Sequence, residues 1–136
     1  MGELIAKQCT FASMIGNLFV WLTSQGYTYR LGDALRSTDK LKVPTGSDGF
    51  DDDLEYSYQE LLFYNKKSKL THGKHNDRLA LDLIIHKDGK QLIDTEYRPI
   101  GEKWEIMGGR WGGRFGVQKE EYATKIGWDA GHFELD

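Results

Sequence analysis

The sequence predicts an α+β fold with helices packed on one face of a small, mainly antiparallel sheet. Three observations lead there: an uncharged N-terminal segment with helical spacing, a central run of branched apolar residues closed by a hairpin signal, and a short strand-like C-terminus. The 136 residues suit one domain, 1–136, long enough to bury a sizeable core. A hydrophobic share of 39% beside a charged share of 29% is ordinary for a soluble globular chain and argues against a disordered one.

The first helix is read over Glu3 to Gln25, where Cys9, Ala12, Ile15, Leu18, Phe19 and Leu22 share a face and Gly26 supplies the stop. Cys9 is expected there as a small buried hydrophobe. Tyr27 to Leu31 alternates aromatic and polar residues and reads as a strand. Ser37 to Phe50, with Pro44 and two glycines, reads as a loop. A second helix is expected from Asp51, Asp52 and Asp53, with Leu54, Tyr58, Leu61 and Leu62 as its buried stripe and Lys66 and Lys67 at its end. Leu79 to Ile85 is a strand interrupted by Asp82, and Asp88-Gly89 turns the chain back through Gln91 to Ile93. A third helix runs from Pro99 to Met107 and is ended by Gly108 and Gly109. Gly108 to Gly116 is too rich in glycine for a helix and reads as a structured loop, and His132 to Leu135 forms the last strand.

Charge and cysteine usage exclude several functions. A net charge of -3, a pI near 5.8 and scattered lysines and arginines leave no basic face for nucleic acid. Cys9 stands alone, so no intrachain disulfide forms and the thiol suits a reducing compartment. The longest unbroken apolar run, Leu18 to Leu22, is far too short to cross a bilayer. The N-terminus lacks the features of a signal peptide, so the chain is expected to be cytoplasmic when synthesised. No membrane insertion is expected, and the chain is taken as a monomer. Asp48, Asp51, Asp52 and Asp53 surround Gly49 with oxygens, but their spacing fits no standard calcium loop, and helix N-terminal charge is the preferred reading.

Four histidines are present, at 72, 75, 86 and 132. In HNDRLALD, His75 precedes Asp82 by seven positions, with His75 at a loop mouth and Asp82 inside the following strand. A carboxylate in an apolar strand is costly to bury unless something pairs with it, and a metal would do so. In WDAGHFEL, Asp129 lies three positions before His132, close enough to take a proton from an attacking water. Taken alone, each string also fits a salt-bridged strand carboxylate and an ordinary histidine, and His72 is a rival ligand to His75.

Together and in this order, the strings resemble the VanY-type zinc peptidases, a family of D-alanyl-D-alanine carboxypeptidases and L-alanyl-D-glutamate endopeptidases that includes phage endolysins. The family pattern, a histidine, an aspartate seven positions on, and near the C-terminus an acidic residue three before a histidine, falls on His75, Asp82, Asp129 and His132. HFEL resembles the phage ending, and KWEIMGGRWGGRFG the tryptophan- and glycine-rich loop of that branch. YRLGDALRS is similar to the segment carrying a substrate-facing arginine, here Arg36, and YQELLFYNKKSKL to the one with a helix-opening glutamine, here Gln59. The likeness runs from Tyr27 to the C-terminus. Gly73 stands where serine is frequent, and Asp129 where other branches carry glutamate.

The resemblance implies a Hedgehog/DD-peptidase-like fold with a zinc site at the edge of the sheet, held by His75, Asp82 and His132. Asp129 would act as general base and acid, and Arg36 would stabilise an oxyanion or grip a substrate carboxylate. Gln59 would hydrogen-bond the peptide, and Trp128 with the Trp111 loop would wall the cleft. The implied activity is hydrolysis of peptidoglycan stem peptides, most directly the L-alanyl-D-glutamate bond, acting on the cell wall after release as a phage-type endolysin. Two alternatives stand beside it: a D-alanyl-D-alanine carboxypeptidase, and a non-catalytic zinc module that binds cell wall.

Overall fold

The computed structural model describes residues 2–32, 40–42, 55–57 and 74–136. Arg36, Gln59, His72 and the acidic residues 48 and 51–53 lie outside them. Helix α1 spans Glu3–Ser24 and stops where Gly26 takes a left-handed φ of 82°. Its buried stripe is Phe11, Ile15, Leu18 and Leu22. These steps of four, three and four keep pace with 3.6 residues per turn, whereas three successive steps of three from Cys9 to Leu18 each fall about 60° behind. Cys9 is therefore exposed, contrary to expectation, and Ala12 is exposed as well.

The sheet contains β1 (Tyr27–Leu31), β4 (Ala80–Lys87), β5 (Lys90–Gln91), β6 (Arg110–Trp111) and β7 (His132–Glu134), in the order β1-β4-β7-β6 with β5 also on β4. Every pairing is antiparallel. The expected hairpin forms, with Asp88 at φ 52° and Gly89 at φ 77°, the pair of positive angles a tight two-residue turn requires. Three expectations need correction. The segment 108–116, read as a loop, carries β6, which forms by pairing with β7. Lys40–Lys42 (β2) lies in the region read as loop and pairs antiparallel with Glu55–Ser57 (β3), which falls inside the expected second helix. The Glu-Tyr-Ser run pairs as a strand once a partner strand is available, which local helical spacing does not register.

Alternation along β4 turns Leu81, Leu83 and Ile85 into the core and Asp82 to the opposite face. Helix α2, Arg98–Ile106, has Pro99 in its first turn and buries Ile100, Gly101 and Trp104. A short turn, Asp94–Tyr97, leads into it, and the Tyr97 hydroxyl donates to the Leu83 carbonyl and accepts from the Ile85 amide, both at 3.1 Å. The edge-on contacts Phe11–Trp104 (5.9 Å) and Trp104–Phe133 (6.0 Å) join α1, α2 and β7 through one fully buried indole. Its Nε1–H donates to the carbonyls of both Arg110 and Glu134, so α2 ties β6 to β7.

Gly101 allows this packing, because a Cβ there would overlap the ring of buried Trp111. Helix propensity alone makes Gly101→Ala stabilising by about 1 kcal/mol, whereas overpacking costs about 1–3 kcal/mol. The second term should win, so G101A is expected to lower the urea midpoint by a net equivalent of up to ~2 kcal/mol. An unchanged or raised midpoint would show that the indole is free to shift.

Candidate metal centre

Residues 74–78 form turns that deliver His75 to the start of β4, closed by the Leu79 amide on the Lys74 carbonyl at 2.9 Å. Gln8 of α1 donates its side-chain amide to the Asp77 carbonyl at 2.8 Å and so ties this turn to the helix. Across the sheet, the β4–β7 register sets Asp82 opposite His132 and Leu81 opposite Phe133. Phe133 fills the core, so His132 necessarily shares the other face with Asp82. The expected strand carboxylate and the two predicted histidines therefore meet at the margin of the sheet.

Two imidazoles converge on one carboxylate oxygen. His75 Nε2 lies 3.3 Å and His132 Nδ1 3.0 Å from Asp82 Oδ1. The three donor atoms lie within 4.8 Å of one another, and this is the group among the described residues that could hold a metal ion. The chemistry of the donors fits zinc: bonds of about 2.0–2.1 Å in a tetrahedron separate neighbouring ligand atoms by roughly 3.3 Å. Both histidines are buried, and the Asp82 side chain is 26% exposed. Asp129, half-exposed, holds Oδ2 3.7 Å from His132 Nδ1, beside the cluster.

Neighbouring charges set the titration of the cluster. Burial alone would push the His132 pKa down, but the Asp82 and Glu134 carboxylates outweigh it and raise it from 6.5 to about 9. Burial would likewise raise Asp82, yet the hydrogen bonds from His132 and His75 prevail and lower it from 3.8 to about 2.

The glycine-rich segment packs against the cluster. A Cβ at Gly112 would overlap the Asp129 carbonyl and come within 2.8 Å of His132 Cβ, so only glycine lets this loop lie against the site. Phe115, which the sequence reading did not single out, stacks at a tilt on His132 (5.4 Å between centroids) and on Trp128 (6.0 Å). Trp128 is exposed. Trp111, by contrast, lies in the core. Its ring is fully buried and donates Nε1–H to the Ala130 carbonyl at 2.7 Å, so it supports the 129–132 turn from behind. Glu134 was also missed: it is 5% exposed and faces His132 Nε2 at 2.7 Å. The signal was present in His-Phe-Glu, since residues two apart on a strand share a face. Arg36 and Gln59 lie outside the described residues.

Fold and cluster together define a small α+β protein with a His/Asp/His group able to hold a metal ion. No family model matches the sequence, and no curated protein matches it at a significant level. Among solved structures, the chain is similar to the Serratia marcescens L-Ala D-Glu endopeptidase ChiX, with a TM-score of 0.50 and 17% identity. The similarity covers 79% of this chain and 66% of ChiX, so the chain spans just under two thirds of that protein, and the likeness is one of fold.

The shifts dictate a pH profile for the metal-free protein. His132, raised to about 9, stabilises the fold fully below its unfolded value of 6.5, and the contribution disappears as pH rises through about 9. Asp82, lowered to about 2, contributes fully above 3.8, and this is lost as pH falls through about 2. Urea unfolding in chelator is expected to show a plateau between these limits and a loss on the order of 3 kcal/mol on the alkaline side. Asp82→Asn should flatten both flanks; an unaltered profile would mean that the pair does not govern the titration. Because His132 carries its proton near neutrality, zinc binding there should release about one proton. Calorimetry in two buffers of different ionisation enthalpy reads that number directly.

Proposed function

We propose that this chain is a zinc-dependent peptidase that hydrolyses a peptide bond in peptidoglycan stem peptides, specifically the L-alanyl-D-glutamate bond, as a phage-type endolysin. The observation that carries the reading is the convergence of His75 Nε2, His132 Nδ1 and an Asp82 carboxylate oxygen beside a further, half-exposed carboxylate, Asp129. A purely structural site closes all four positions with protein ligands, whereas three ligands next to a spare carboxylate suit hydrolysis. The fold shared with an L-Ala D-Glu endopeptidase supports the choice of bond, as does the sequence resemblance.

In this reading His75, Asp82 and His132 hold zinc, which supplies a Lewis acid that polarises the scissile carbonyl and acidifies water. Asp129 accepts the proton of the attacking water and returns it to the leaving amine. Arg36 meets the negative charge on the carbonyl oxygen or a substrate carboxylate with its forked guanidinium, and Gln59 hydrogen-bonds the peptide. Trp128, with Phe115 behind it, offers an apolar wall along which the stem peptide lies.

Mass spectrometry of purified peptidoglycan, digested by metal-stripped protein with and without zinc, tests the proposal. Zinc-dependent fragments newly ending in L-alanine are expected. Release of free D-alanine instead would make the protein a carboxypeptidase, and zinc binding without cleavage of any wall type would make it a binding module. Asp129→Asn should lower kcat by about 10²–10⁴-fold with zinc affinity nearly unchanged. If kcat is kept, the proton is moved by another group.

A further inference from the structure

Glu134 is a buried carboxylate that the proposed hydrolysis does not use, and burying one without partners is costly. Its partners are specific. Strand alternation puts Glu134 on the same face as His132, and the two side chains meet at 2.7 Å between Oε1 and Nε2. On the other flank, β6 pairs Arg110 directly opposite Glu134, with Arg110 Nη1 3.6 Å from Oε2. The Arg110 guanidinium is itself braced over the Phe115 ring, 4.9 Å from its centroid. The Glu134 backbone is held as well, since its carbonyl accepts the Trp104 Nε1–H at 3.0 Å. Arg110, Glu134 and His132 thus form a chain across two strands that ends at the ring whose other nitrogen faces Asp82 and the metal position.

We infer that Glu134 is a positioning residue for the metal ligand His132: by accepting the Nε2–H it fixes the ring orientation and the tautomer that leaves the Nδ1 lone pair for the metal. Arg110 in turn fixes the carboxylate. The inference rests on reading the cluster as a metal site. An imidazole has two nitrogens that can serve as ligands, and the one not used must carry a hydrogen; a buried acceptor at 2.7 Å selects Nε2 for that hydrogen. With no acceptor there, the ring can rotate or ligate through the wrong nitrogen, and the site weakens even though all three ligands remain.

The test uses the full chain and zinc alone. Nitrogen-15 spectra of the wild-type, zinc-loaded protein are expected to show His132 protonated at Nε2 and ligated at Nδ1, a readout that needs no variant. Zinc affinity, measured by competition with a chromophoric chelator, is expected to fall about 10–100-fold in Glu134→Ala. Glu134→Gln, which keeps the shape and an acceptor oxygen, should recover most of the loss, and Arg110→Met should cost only a few-fold. Unfolding midpoints of the metal-free variants separate a lost ligand geometry from a lost fold. Ligation of wild-type His132 through Nε2, or an E134A protein that folds and binds zinc as tightly as wild type, overturns the inference alone. A wild-type protein that binds no zinc overturns the metal reading and the inference with it.

Discussion

Asp82 carries a carboxylate into the most apolar strand among the described residues, and the surrounding architecture is arranged to keep it paired. Its neighbours Leu81 and Leu83 must enter the core, which turns Asp82 to the opposite face of β4. The partner strand answers in register: Phe133 opposes Leu81, so His132 opposes Asp82. A slip of one residue would drive His132 inward and Phe133 into solvent, costing both the core contact and the pairing of the carboxylate. The hydrophobic core and the polar cluster are therefore specified by the same three-residue ladder, one from each face of the sheet.

Packing behind the ladder is correspondingly tight. Trp104 and Trp111 are both fully buried, and each spends its single N–H on backbone carbonyls of the site-bearing segments, Arg110 and Glu134 for one and Ala130 for the other. Glycine makes the approach possible at Gly101 and Gly112, where a side chain would collide with Trp111 and with the Asp129 carbonyl. The bidentate Arg114–Glu105 pair joins the glycine-rich segment to α2, and Arg114 also donates to the Tyr122 carbonyl. A cluster mounted on so many fixed groups is preorganised.

The electrostatics follow from the same geometry. Three carboxylates, Asp82, Glu134 and Asp129, surround one imidazole, and in the metal-free protein a proton on His132 balances part of that charge. A divalent cation would replace the proton with a larger charge at the same focus. This makes the arrangement understandable as a metal position, whereas an isolated buried ion pair would need neither the second histidine nor the exposed carboxylate.

Much of this was legible in the sequence. The helical run ending at Gly26, the Asp88-Gly89 hairpin, the strand broken by Asp82 and the helix begun by Pro99 all rest on local periodicity and turn chemistry, which act within a few residues. The grouping of His75, Asp82 and His132 was legible through the order of the two motifs, and the structure brings their donor atoms within 4.8 Å of one another. What local patterns could not encode depended on which segments met. Lys40–Lys42 and Glu55–Ser57 became strands by finding each other, and Cys9 was left outside because drift around the helix carried it off the buried stripe. Trp111 went to the core because the space beneath Gly101 admitted an indole, and Phe115 reached His132 only through the fold of the glycine-rich loop. The sequence by itself determined the elements set by local periodicity and turn chemistry, and offered His75, Asp82 and His132 as a donor set through motif order. Only the tertiary structure decided that Glu134 and Arg110 would stand behind His132, because that contact depends on the register of two strands far apart in the chain.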